Sequence, residues 1–383
     1  MEQNTDLIEQ IVEEEESFSD DALFNITSFG VDMSFREIIS MYEDGDLEKP
    51  EMQRKYVWDK KEASRFIDSI LLGLPVPSIF LAKTPSEKRL IVDGYQRIMT
   101  VYHYVKTGVF GGDGSVFALS NTAMINPKWR NKTFKQLTDE EQRKIRNAAI
   151  HAIIFEQKYP QNDNGMYQVF ERINTSGRTL KPQEIRNCVY HGKFNRLLLQ
   201  LNEHNSWRSL YGKNTPESRM SDVELILRIL MFINVDFTQT DSRQINLSKQ
   251  LNMFMGEFTN LDEGQEQVFT EQFIKVSDYL FETLGNNAFR NGTNDNGAFV
   301  FYSKINPAIM DSLYRATWSF LTENNEEEQQ TAKSELLSKY QMLLSDAGYQ
   351  NSIKQHTTNI DNIQVRYNLA KSYLFGVANE AGI

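Results

Sequence analysis

One cysteine, Cys188, stands in a chain of 383 residues, which rules out an intrachain disulfide framework and any multi-cysteine metal site. No apolar run approaches the roughly 20 residues that a membrane helix needs. The opening MEQNTDLIEQIVEEEE lacks the basic start and apolar centre of a signal peptide. A cytoplasmic protein with no membrane partner is the expectation. Positive charge is short as well: 41 Lys and Arg face 52 Asp and Glu, for a net charge of −11. A field of that sign repels nucleic acid at long range and leaves only a local basic groove to bind it. Neither G-x-x-x-x-G-K-[ST] nor a G-x-G-x-x-G after a strand occurs, so any nucleotide site is of another kind. The five histidines (His103, His151, His191, His204, His356) form no cluster of ligand spacing. No Ser/His/Asp or Cys/His arrangement stands out. Glu156-Gln157-Lys158 matches the acidic-x-lysine pair of some nucleases, but without a companion Asp it is a match that chance supplies.

Against these absences, 40% of the residues are hydrophobic and 11% aromatic, enough for a substantial core, and the length argues for two lobes. Residues 1–22 read as an acidic, solvated arm. An α+β lobe, a small mixed sheet with helices, is expected over 23–160. Its strands are expected at Phe24–Gly30, Ser78–Ala82, Arg89–Val92, Val116–Leu119 and Ala149–Glu156. Ser34-x-x-Glu37 and Asp59-x-x-Glu62 are capping boxes that open helices closed by Gly45 and Gly73. From Met166 onward the period is helical, which predicts an all-helical lobe over 161–383. Within it a single helix is expected over Glu326–Leu344 and a loop over the Asn/Gly-rich Asn286–Gly297.

Three segments carry candidate chemistry. In Leu90-Ile91-Val92-Asp93-Gly94-Tyr95-Gln96-Arg97 a strand stops at Asp93-Gly94, and a helix with Ile98, Val101, Tyr102 and Val105 on one face begins. A helix N-terminus there favours an anion by roughly 0.3–1 kcal/mol. Arg97 adds a fork for phosphate or carboxylate, and Gln96 a donor and an acceptor. The plainer reading is a turn with a capping Asp and a surface Arg. The second segment, Gln53-Arg54-Lys55-Tyr56-Val57-Trp58, offers either cation–π packing or a second anion-binding fork. In the third, Phe170-Glu171-Arg172-Ile173-Asn174-Thr175-Ser176-Gly177-Arg178, a helix ends in a turn rich in amide, hydroxyl and guanidinium groups. It is either an anion nest or a pair of helix caps.

Taken in order and separation, Gln53-Arg54-x-Tyr56-Val57-Trp58, Asp93-Gly94-Tyr95-Gln96-Arg97 and Phe170-x-x-Ile173-Asn174-x-x-Gly177 resemble the N-terminal domain family of GmrSD-type restriction endonucleases, over roughly residues 30–235. The middle segment is similar to that family's Asp-Gly-Gln-Gln-Arg signature. The resemblance implies a ParB/sulfiredoxin-like α+β core followed by helices. It also implies nucleotide binding, with NTP hydrolysis, and nucleic-acid cleavage in defence against phage or modified DNA. Carried over by position, Asp93, Gln96 and Arg97 are the signature, or catalytic, residues. Gln53, Arg54, Gly94, Arg97, Arg172, Asn174, Gly177 and Arg178 line a nucleotide pocket of unknown base specificity, and Asp93 either holds Mg2+ or pins Arg97. Tyr95 stands where the signature has its first glutamine, which removes one amide contact and favours binding over hydrolysis. The His/Asn/His nuclease cluster carried by many relatives has no counterpart in this sequence. Two rival readings follow: a non-enzymatic protein that recruits a nuclease partner, and a nuclease acting on DNA directly.

Overall fold

The computed structural model describes residues 7–9, 26–48, 56–84, 87–157, 164–173, 180–239 and 242–376. The chain divides into two compact units, one formed by Ser19–Leu180 with Glu184–His191, the other by Met1–Phe18, Lys181–Gln183 and Gly192–Ile383.

The first unit runs β1 (Ile26–Ser34), α1 (Phe35–Asp44), β2 (Leu47–Glu48), α2 (Lys60–Leu72), β3 (Ile79–Lys83), β4 (Arg89–Asp93), α3 (Tyr95–Tyr102), α4 (Asp139–Asn147), β5 (Ala149–Gln157), α5 (Asn164–Ile173) and α6 (Pro182–Val189). The capping box expected at Asp59 forms in full, and at Ser34 only its N-cap half does. Ser34 accepts from Glu37 N–H, and Asp59 and Glu62 bond each other's backbone. The strands form one sheet in the order β1-β5-β3-β4-β2, with β1 antiparallel to β5, β3 parallel to β5 and antiparallel to β4, and β2 parallel to β4. Alternate strand residues point to opposite faces. Ile79, Leu81, Ile91, Ala152 and Ile154 join the core made with α1 to α4. Ala82, Leu90, Val92 and Phe155 meet Met166, Tyr167 and Phe170 of α5 and Ile185 and Cys188 of α6.

That second face explains a departure from the sequence reading. The break expected near residue 160 falls at 180–191 instead, because α5 and most of α6 are needed to cover a sheet buried on both sides. Val116–Leu119 is no strand either. Phe117 and Leu119 are buried and their neighbours are less so, which mimics a strand's period, but Val116 makes only an isolated bridge to Val109.

The second unit contains α7 (Lys193–Leu201), α8 (Asn205–Tyr211), α9 (Ser221–Asn234), α10 (Leu247–Glu257), α11 (Glu263–Leu284), β6 (Arg290–Asp295), β7 (Ala298–Ile305), α12 (Pro307–Glu323), α13 (Glu326–Lys333), α14 (Leu336–Ser345), α15 (Ala347–Lys354) and α16 (Ile360–Phe375). It is largely but not wholly helical. The expected Asn/Gly-rich loop is an antiparallel hairpin of β6 and β7. Asn296 and Gly297 turn it at φ 50° and 87°, the positive angles a tight two-residue hairpin requires. The helix expected over 326–344 is two helices, α13 with no buried residue and α14 burying Leu336, Tyr340, Leu343 and Leu344. Part of the arm expected to be solvated is held: Ile8 bridges Ile305, and Glu9 accepts a hydrogen bond from the Asn306 amide at 2.8 Å. The remainder of 1–22 lies outside the described residues. No helix among the described residues is long and apolar enough to cross a membrane.

Candidate functional site

The segment that led the sequence argument lies where β4 ends. Phe80 faces Asp93 and Leu81 faces Ile91, so Val92 is an extra residue in β4. Such a bulge re-aims the side chains beside it. Gly94 then takes φ 101° and starts α3 with no side chain capping the helix. One turn on, Arg97 Nη2 donates to Asp93 Oδ2 at 2.5 Å and to the Ser78 carbonyl at 3.1 Å, tying the end of β4 to the entry of β3. The Arg97 side chain is 14% exposed and Asp93 50%. Arg97 Nε is buried without a hydrogen-bond partner. A buried donor in that state asks for a ligand or water to complete it.

Gln96 works differently from the expectation that it reads a ligand. Its Oε1 accepts from the backbone N–H of Val57 and of Trp58 at 3.1 and 3.3 Å. Tyr56 joins the same face of α3, with its hydroxyl 2.7 Å from Thr100 Oγ1 and its ring 5.0 Å from that of His103. The segment that follows Gln53-Arg54 is thereby laid along α3. Burial pushes the Tyr56 hydroxyl pKa up to about 12, so it stays a neutral bonding group. Tyr56→Phe removes that bond alone and is expected to cost about 1 kcal/mol, read as a lower denaturation midpoint with unchanged secondary structure.

His103 begins a π-type turn, His103–Thr107, that widens the end of α3. Its Nδ1 is buried without a partner, and burial lowers the imidazole pKa below its ordinary value of 6.5. The unfolded chain therefore takes up the proton first as pH falls. Stability present above about pH 6.5 is lost as pH drops through the folded-state value. The melting temperature of the wild type is expected to fall more between pH 7.5 and 5.5 than that of His103→Gln. Equal pH slopes would contradict this.

The other candidate residues separate into three groups. Tyr95 is 9% exposed and packs in the core with α1 and α2, its hydroxyl pKa pushed up to about 12 by burial. The departure from the signature thus lies on the buried face of α3, away from Gln96 and Arg97. Arg172 is exposed in the last turn of α5. Gln53, Arg54, Asn174, Gly177 and Arg178 lie outside the described residues, as does Lys158. Among the described residues no group of three His, Cys, Asp or Glu is placed to hold a metal ion. Sequence reasoning placed Tyr56 in a candidate segment but missed Ser78, Thr100 and His103 as parts of this arrangement. The i, i+4, i+7 spacing of Gln96, Thr100 and His103 was the available signal.

Comparison with curated proteins finds no match to the chain. Residues 35–191 match the model of the family described as GmrSD restriction endonuclease, N-terminal domain. The match covers the whole sheet except β1, together with α1 to α6 and every motif residue described above. It associates this region with restriction-type defence and with DNA. Residues 35–191 of this chain belong to the GmrSD restriction endonuclease N-terminal domain family.

Proposed function

We propose that this domain binds a nucleotide by its phosphates at the turn from β4 to α3, and that binding serves restriction-type defence. The observation that carries the reading is Arg97. Its guanidinium is largely buried, only Nη2 is engaged among the described residues, and Nε has no partner. It stands at the start of a helix that no side chain caps, where backbone N–H groups and the macrodipole favour an anion. Phosphate oxygens arriving there replace the Asp93 carboxylate on Arg97. Gln96 takes part indirectly, by holding Val57 and Trp58. Gln53, Arg54, Arg172, Asn174, Gly177 and Arg178 are proposed as the remaining wall. The ParB/sulfiredoxin-like interpretation of the core belongs to the same proposal.

A single carboxylate suits Mg2+, which keeps several waters and is commonly held through one or two carboxylates plus substrate phosphates. Asp93 is half exposed and would meet a metal that arrives with the nucleotide. When bound, the ion would neutralise phosphate charge. If turnover occurs, this chain's part is to position the phosphates and balance their charge. Asp93→Asn separates the two roles of the carboxylate. Without Mg2+, loss of the competing charge should raise affinity about 2- to 5-fold, the scale of a half-exposed ion pair. With Mg2+, affinity should fall below wild type. Calorimetric titration under both conditions checks it, and no change in either would remove Asp93 from the site.

The proposal is tested by titrating the full chain with each of the four NTPs and Mg2+ while following phosphate release. Binding of at least one NTP supports it. No heat and no turnover with any of them would sink it. One observation favours a rival: Asp93, Arg97, Ser78 and Gln96 already bond within the protein, as a structural brace would. In that reading the chain is a non-enzymatic protein that recruits a nuclease. Recovery of a nuclease complex by a chain that binds no nucleotide would favour it. Direct cleavage remains a separate arm, read as plasmid nicking with nucleotide and Mg2+ that Asp93→Ala abolishes.

A further inference from the structure

A second cluster lies in the largely helical unit, with no part in the site above. Arg290 opens β6 and is 7% exposed. Its Nη1 donates to the carbonyls of Leu210 and Ala288 at 2.6 and 2.7 Å. Among the described residues no carboxylate pairs with it, and its Nε and Nη2 donate to nothing. A buried guanidinium without a counter-ion is costly unless something charged comes to it. Burial lowers its pKa, in keeping with that lack. Arg208, the neighbouring arginine, is by contrast neutralised by Asp222 at 2.8 Å.

Arg290 lines an open cavity of about 620 Å³ together with Arg208, Ser209, Ser303, Phe281 and Tyr302. Among the described residues no Asp or Glu lines this cavity. Phe281 and Tyr302 are exposed at its wall, 37% and 49%. Aromatic faces of this kind stack on bases and tolerate any of them. We infer that this cavity is a second anion site, taking the phosphate of a nucleotide unit on Arg290 with its base against Phe281 or Tyr302. The unit comes either from a free nucleotide or from single-stranded nucleic acid.

The test uses the full chain carrying Arg97→Ala, so that the site proposed above is silent and its failure is read separately. Titration with AMP should show one binding event, which inorganic phosphate displaces at higher concentration. Adding Ser303→Glu, an exposed change that sets a negative charge beside Arg290, should weaken AMP at least 10-fold with an unchanged circular dichroism spectrum. Tyr302→Ala should weaken AMP more than inorganic phosphate. A 5′-phosphorylated single-stranded oligonucleotide binding more tightly than AMP assigns the unit to nucleic acid, and equal or weaker binding assigns it to a free nucleotide. No AMP binding by the Arg97→Ala chain, or binding that Ser303→Glu leaves untouched, would overturn the inference.

Discussion

Gly94→Ala is expected to destabilise the N-terminal unit by about 2–5 kcal/mol, the sum of a left-handed conformation forced on a side chain and an overpacked contact. At φ 101° an added Cβ would stand 2.3 Å from Ile79 Cγ2 and 2.8 Å from Ile79 Cβ. Neither atom can yield, because Ile79 is fully buried in β3, between strands β4 and β5. The same Cβ would lie 3.4 Å from Arg97 Nη2, so any relief is taken by moving the arginine off Asp93 and Ser78. Gly45→Ala is the matched control. Its φ is 77° but nothing lies within 4 Å, so it should cost only about 1–2 kcal/mol for the conformation itself. Chemical denaturation of both variants isolates the contact. If the two midpoints fall equally, the close packing of Gly94 on Ile79 is not what fixes the turn.

This turn was the most legible part of the sequence. An apolar β-run, Asp93-Gly94, and a helical period each have a local cause. So do the N-caps at Ser34 and Asp59, whose partners lie three residues away. What escaped was set by distant partners. Met166, Tyr167 and Phe170 have an amphipathic helical pattern that says nothing about where the apolar face goes, and only the unpaired second face of the sheet claims them. Tyr95 reads as part of a polar signature, yet its position on α3 turns it into the core. Gln96 reads as a ligand-binding amide, but the backbone of Val57 and Trp58, nearly forty residues earlier, takes its oxygen. The hairpin was a different failure. Asn296-Gly297 carries the strongest short-range hairpin signal there is, hidden by the polar strand Arg290–Asp295 that precedes it.

Arg97→Ala should have the largest effect on function. Three properties converge on this one side chain: a fixed fork, a position at an uncapped helix start, and donors that the protein leaves unused. Charge-assisted bonds from arginine to phosphate are among the strongest a site can make, and a guanidinium presents them bidentately. Losing them should weaken nucleotide binding at least 100-fold, about 2.8 kcal/mol at the tenfold scale of 1.4 kcal/mol. Arg97→Lys keeps the charge without the fork and should recover only part of the loss. The fold should survive both changes, since the Ile98, Met99 and Val101 face of α3 carries its packing. Asp93, released from its partner, is half exposed and can be solvated.

The most direct measurement is calorimetric titration of the wild type and Arg97→Ala with the tightest-binding NTP and Mg2+, with circular dichroism confirming that both are folded. The account predicts saturable binding by the wild type and at least a 100-fold loss in Arg97→Ala. Equal affinity in two folded proteins would contradict it and leave Asp93 and Arg97 as a brace between β4 and β3.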